Sequence, residues 1–143
     1  MKGHVIDASV LATAVLRDIH ADAADNVLIS GMPLFAPDLI YVEFASAVWK
    51  RVGRGDVTAV KAPILLSGVF KLPITITPSA DLADNALQLA LETRQTVYDC
   101  LYLALALRLG TTMVTADQRF VNALSATPLS KYVSLLGSNA MGT

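Results

Sequence analysis

Short apolar runs of β character alternate with longer stretches of helical periodicity along the whole chain. The β-type runs predict strands near His4 to Ile6, Leu34 to Ala36, Ile74 to Thr77, Thr112 to Thr115 and Tyr132 to Leu135. Helical spacing predicts helices near Ser9 to Leu16, Ala21 to Ser30, Leu39 to Val52, Val57 to Phe70, Ala80 to Arg94, Val97 to Leu109 and Gln118 to Ser125. Such alternation is the pattern of βαβ units around a parallel sheet. Punctuation agrees: Pro37-Asp38 opens a helix, Gly53 and Gly55 end it, Ser79 is placed to cap the next long helix, and Gly110 closes the apolar one. Pro63 falls inside the Val57 to Phe70 pattern; its missing N–H and bulky ring predict a kink or a split there. No repeat, low-complexity segment or linker divides the chain, so residues 1–136 read as one domain. "GSNAMGT", Gly137 to Thr143, is small and polar and reads as a flexible tail, of linker or vector type, outside the fold.

In an open α/β sheet, ligands bind beyond the carboxyl ends of the strands. Residues directly after β runs therefore carry the most functional weight. Asp7 and Ser9 follow the first run, and Asp117 follows the fourth with Thr115 at its end. These runs are far apart in sequence but suited to lie side by side in the sheet.

Composition sharpens this picture. Hydrophobic residues make up 54% of the chain and charged residues 16%, an apolar excess over ordinary domains that predicts surface hidden against a partner or a second copy. With 11 Lys+Arg against 12 Asp+Glu the net charge is −1, which excludes the broad basic footprint of a general nucleic-acid binder and confines any such contact to a local patch. The single cysteine, Cys100, sits in the apolar run Cys100 to Leu107 and reads as a buried, inert thiol. That run is the longest unbroken apolar stretch, well short of the ~18 residues of a membrane span, and "MKGHVIDAS" lacks a signal-like apolar core. With no internal disulfide available, these features predict a soluble cytoplasmic protein that makes no membrane contact.

Four acids stand out, each with an ordinary structural role beside a chemical one. Asp7 and Asp117 are equally suited to cap the helices that follow them. Asp99 completes, with Thr96, the spacing of a capping box before an apolar run. Glu43 differs: Leu39, Ile40, Ser46 and Ala47, its neighbours one turn away, include no basic residue to pair with, whereas the only other glutamate, Glu92, stands near Arg94. Taken as a set, three aspartates at strand-end or helix-start positions and one unpaired glutamate are suited to converge at one sheet edge. Converging carboxylates raise one another's pKa unless a cation neutralises them. His4, His20 and one buried thiol supply a zinc cage poorly, and hard oxygen ligands select Mg²⁺ or Mn²⁺, ions that activate water and stabilise displacement at phosphorus. No glycine-rich phosphate loop and no G-x-S-x-G elbow is present, so neither a nucleotide cofactor nor a serine hydrolase is indicated.

These residues resemble a known family, the PIN-domain ribonucleases, in particular the VapC-type toxins of toxin-antitoxin pairs. "VIDASVL" is similar to the family's first motif and places an acid on Asp7 with Ser9 as its hydroxyl; "PDLIYVEFASAV" is similar to the second and places the glutamate on Glu43. "YDCLYLALA" resembles the third and most distinctive motif, with its acid on Asp99, and "TADQRF" matches a T-x-D-x-x-F ending that places Thr115 and Asp117. The similarity covers the chain to about Leu136. It departs at Ser46, where many relatives carry asparagine. The resemblance implies a three-layer α/β/α domain with a central, mainly parallel sheet of about five strands. It further implies Mg²⁺- or Mn²⁺-dependent endonuclease cleavage of RNA by Asp7, Glu43, Asp99 and Asp117, and an antitoxin partner whose tail fills a groove between the early helices. A homodimer fits the apolar excess.

Lys50, Arg51 and Arg54 cluster at the end of the Glu43 helix, and Arg119 follows Asp117. They are candidate RNA contacts, although cations at a helix end are also favoured by its dipole alone. Trp49 and Tyr41 on the same helix read as core or dimer surface before they read as base-stacking platforms. The alternative from another class is a PIN-like module that binds RNA or protein without turnover. A haloacid-dehalogenase-like phosphatase with Asp7 as nucleophile is disfavoured by Ser9, which stands where a second aspartate would serve as general acid.

Overall fold

Five short strands alternate with helices along the chain and form one fully parallel sheet in the order β3-β2-β1-β4-β5. This is a computed structural model, and it describes residues 3–138. The strands are β1 (His4–Ile6), β2 (Leu34–Pro37), β3 (Ile74–Thr77), β4 (Thr112–Thr115) and β5 (Val133–Leu135). The helices are α1 (Ala8–Val15), α2 (Ala21–Ile29), α3 (Leu39–Gly53), α4 (Ala62–Phe70), α5 (Ala83–Thr93), α6 (Val97–Leu109) and α7 (Gln118–Leu124). This is the α/β architecture with a five-stranded parallel sheet that the alternating pattern predicts.

The chain builds β1, β2 and β3 outward in one direction, then crosses back to place β4 on the free side of β1. Right-handed crossovers put the helices of the two halves on opposite faces of the sheet. α1 and α3 pack on the sheet and on each other, with α2 against α1 and α4 against α3. α6 lies across β1, β2 and β4, and α5 packs outside it. The reversal of strand order between β1 and β4 opens a crevice at their carboxyl ends. His4, Val5 and Ile6 pair with Thr112, Met113 and Val114, so Asp7 and Thr115 leave neighbouring strands at the same level.

The core is centred on α6. Cys100, Leu101, Tyr102, Leu103, Ala104, Leu105 and Ala106 are all buried, so this helix has no wet face in its central turns. It closes on Gly110 at φ +65, a left-handed position that other residues enter at a cost, as expected of a helix-ending glycine.

The split expected around Pro63 is present, and two other local expectations are corrected. The Val57 to Phe70 pattern is split: residues 57–61 form turns and α4 starts at Ala62, with Pro63 in its first turn, where a missing N–H costs nothing. The Ala80 to Arg94 helix begins instead as a separate 3-10 turn, Ser79–Asp81, before α5. Ser79 does not cap α5; its Oγ accepts from Leu39 N–H at 3.3 Å and donates to Asp38 Oδ1, tying the start of α3 to the end of β3. At the C-terminus Gly137 turns at φ +83 and Ser138 N–H donates back to Leu135 O at 3.1 Å, while residues 139–143 of the expected flexible tail lie outside the described residues.

Candidate active site

Asp7 ends β1 and caps α1: its Oδ1 accepts from Ser9 N–H at 3.0 Å and from Ser9 Oγ. Its Oδ2 accepts from Thr115 Oγ1 at 2.6 Å, across the β1–β4 pair. Ser9 Oγ in turn accepts from Ala116 N–H at 2.8 Å, and Thr115 Oγ1 accepts from Asp117 N–H at 3.1 Å. The hydroxyls predicted to accompany the first and last acids thus stitch the two strand ends together around one buried carboxylate.

Asp117 caps α7, its Oδ1 accepting from Phe120 N–H at 3.2 Å. Asp99 stands in the first turn of α6, where its N–H donates to Thr96 Oγ1 at 3.1 Å. The capping roles weighed for Asp7, Asp117 and the Thr96–Asp99 pair are all realised, and they fix where each acid points from. Glu43, half-buried on α3, accepts at Oε1 from the Tyr102 hydroxyl at 2.5 Å.

The four acids act on one another. Burial, then the charges of Asp99 and Glu43, push Asp7 up to about 6, against the pull of Ser9 and Thr115. Burial and the charge of Asp99 raise Glu43, against the Tyr102 hydrogen bond. Burial and the charge of Asp117 raise Asp99, while Arg119 opposes. A chain of like charges therefore links Glu43, Asp7, Asp99 and Asp117 at the crevice. As donors they are all hard oxygens, the set that suits a small divalent cation, and the raised proton affinities of Asp7, Glu43 and Asp99 come first from burial and then from neighbouring negative charge.

They do not form a ready-made cage. Among the described residues no three His, Cys, Asp or Glu side chains are grouped so as to hold a metal ion. Three of the acids are already engaged: Asp7 accepts from Ser9 and Thr115, Glu43 from Tyr102, and Asp117 from the N–H of Phe120. The acids expected to converge at one sheet edge thus act on one another through their charges without being grouped as a ready metal cage among the described residues.

Tyr102 is the residue that sequence reasoning missed. Its signal was present: a phenol three residues after Asp99, inside a helix apolar on every side, needs a partner for its hydroxyl. Of the basic candidates, Lys50, Arg54 and Arg119 are exposed. Arg51 is engaged elsewhere, in an ion pair with Asp18 on the α1–α2 connection. Trp49 is 72% exposed and so not core, whereas Tyr41 stacks on Phe70 with ring centroids 4.8 Å apart. Burial raises the Cys100 thiol, which keeps it protonated and inert.

The PIN domain family pattern matches residues 4–123, taking in all four acids and both hydroxyls. The chain belongs to the PIN domain family. Ribonuclease VapC3 of Pyrobaculum aerophilum is 27% identical to it over 124 residues, 85% of this chain and 95% of the relative. The crystal structure of PAE2754 from Pyrobaculum aerophilum shares the fold at a TM-score of 0.63 and 24% identity, over 85% of this chain and 78% of that one. In this PIN domain no helix among the described residues is long and apolar enough to cross a membrane.

Proposed function

We propose that this PIN domain is an endoribonuclease that cleaves RNA phosphodiester bonds with Mg²⁺ or Mn²⁺ held by Asp7, Glu43, Asp99 and Asp117, and that it acts in the cytoplasm as the toxin of a toxin-antitoxin pair. One observation supports the reading: acids from the ends of β1 and β4, from α3 and from the start of α6 are close enough that the charges of Glu43, Asp99 and Asp117 add to burial in raising the proton affinity of Asp7, Glu43 and Asp99. The similarity to a protein named ribonuclease VapC3 supports the substrate class. When bound, such an ion lowers the pKa of a water and stabilises charge on phosphoryl oxygens. The chain's own part is to present the oxygens. Ser9 and Thr115 orient Asp7, the α7 cap orients Asp117, and the N-terminal dipole of α6 supports negative charge at Asp99. Lys50, two helical turns beyond Glu43 and roughly 10 Å along α3, Arg54 and Arg119 are exposed and are the basic residues assigned to receive the RNA backbone.

Two surfaces fit the partners of a toxin. An apolar groove of about 290 Å³ between α1, α2 and α4, lined by Val15, Leu28, Ile64, Leu65 and Val69, suits the tail of an antitoxin. Exposed Val42, Trp49 and Phe70 supply the apolar face for a second copy in a homodimer.

The test is cleavage of RNA by purified protein in Mn²⁺, compared with Asp7→Asn. Loss of cleavage with an unchanged circular dichroism spectrum is expected; a variant that cuts at the wild-type rate overturns the mechanism. The separation of the acids in the present geometry favours a second reading, a PIN-like module that binds RNA or protein without turnover. Wild-type protein that retains RNA but never cuts it would establish that alternative.

A further inference from the structure

A buried phenol is costly unless its hydroxyl finds a partner. Tyr102 is enclosed to 1% exposure, and it leaves α6 one turn beyond Asp99, on the same face of the helix. Its hydroxyl donates to Glu43 Oε1, joining α6 to α3 across 59 residues of sequence. The backbone N–H of Ala8, the residue after Asp7, bears on the same phenol oxygen. One hydroxyl thus sits where the three elements that carry Asp7, Glu43 and Asp99 meet. Among the described residues Glu43 has no ion pair and no other side-chain hydrogen bond.

We infer that Tyr102 is a positioning residue of the site: its hydroxyl pins Glu43 Oε1 and so leaves Oε2 directed into the crevice shared with Asp7 and Asp99. A glutamate has three rotatable side-chain bonds, and an untethered one spends entropy each time it is ordered around a cation. Fixing one oxygen removes most of that cost while sparing the other oxygen for ligation. Outer-shell donors of this kind change metal affinity or activity by about 10–100-fold when removed. The inference rests on the proposed metal-dependent reading of the site.

Tyr102→Phe keeps the ring and deletes only the hydroxyl. Calorimetric Mn²⁺ titrations of the wild type, Tyr102→Phe, Glu43→Ala and the double variant are the first measurement. A loss of about 10–100-fold in Mn²⁺ affinity is expected for Tyr102→Phe, and no further loss when it is added to Glu43→Ala. Unchanged affinity, or an equal loss in both backgrounds, overturns the assignment. Crystals of metal-free Tyr102→Phe give a second measurement that needs no ion. A Glu43 side chain turned away from its wild-type orientation is expected, and an unmoved one overturns the inference even if the melting temperature falls. Should the wild type bind no Mn²⁺ at all, the metal-dependent function fails, while the crystal comparison still decides whether Tyr102 sets Glu43.

Discussion

Replacing Asp7 by asparagine should make the metal-free protein more stable at neutral pH even as it removes cleavage. Asp7 is 6% exposed, and burial above all pushes its pKa up to about 6, from an ordinary value of about 3.8. The folded state therefore binds this proton more tightly than the unfolded chain does. The associated stability is fully present below about pH 3.8 and is lost as pH rises through about 6. At neutral pH the ionised carboxylate costs about two pKa units at 1.36 kcal/mol each, or about 3 kcal/mol. Asparagine removes the charge and keeps an oxygen for the Ser9 N–H, so it preserves the α1 cap. It also loses an acceptor for one hydroxyl, which trims the net gain to about 1–3 kcal/mol. In a domain of this size that is a rise of roughly 3–10 °C in melting temperature. Thermal melts in chelator at about pH 7.5 and about pH 4.5 measure it, and the gap between variant and wild type should shrink at the lower pH. Added Mn²⁺ should then stabilise the wild type and not the variant. A variant less stable than the wild type in chelator at neutral pH would refute the idea that Asp7 is held against its own electrostatics.

Other substitutions separate scaffold from function. Gly110→Ala meets no atom within 4 Å of the added Cβ, so its cost is backbone strain at φ +65 alone, about 1 kcal/mol, and shows as a lower melting temperature with an unchanged rate of cleavage. Arg51→Ala breaks the pair with Asp18 and should cost about 1 kcal/mol of stability while leaving the salt dependence of RNA binding untouched. Arg54→Ala breaks only a long, exposed pair with Asp56, 3.9 Å apart, so stability should move by less than about 0.5 kcal/mol while the slope of log affinity against log salt for RNA becomes shallower by about 0.7 in an Asp7→Asn background. Ile64→Glu places a charge in the α1–α2–α4 groove at a side chain that is 65% exposed; stability should stay within about 0.5 kcal/mol while a co-expressed cognate antitoxin no longer co-elutes on size exclusion.

Much of the fold was readable because local signals and burial agreed. The runs at His4 to Ile6, Ile74 to Thr77 and Thr112 to Thr115 have the strand limits observed, and the Val97 to Leu109 helix is bounded by Thr96 and Gly110 as its cap residues require. The misses lie where one local pattern served two neighbours. The apolar run through Val57 continues across a turn because Val57 also packs on the core, and Pro63 marks the true start of α4 rather than a kink within it. Ser79 carries the chemistry of a cap but serves α3, 40 residues earlier, a pairing created only by the β2–β3 register. At the site, the four acids and two hydroxyls were legible as residues that follow strands, open a helix or lack a local ion pair. Their separation was not, because it depends on which donor each carboxylate meets across the fold. Glu43 shows this most clearly: the absence of a basic neighbour on its own helix was visible in the sequence, and the phenol that takes that place comes from α6.

The strand order also schedules when the crevice comes into being. Asp7 is synthesised 110 positions before Asp117, a delay of roughly 5–20 s at ordinary elongation rates. Throughout that interval β1 lacks β4 along one edge, and the first carboxylate lacks Thr115. A ribosome that halts before β4 emerges leaves a fragment with three of the four acids and no wall to set them against. A damaging catalytic function would therefore switch on late and all at once, giving the host nearly the whole period of translation in which an unfinished copy is harmless.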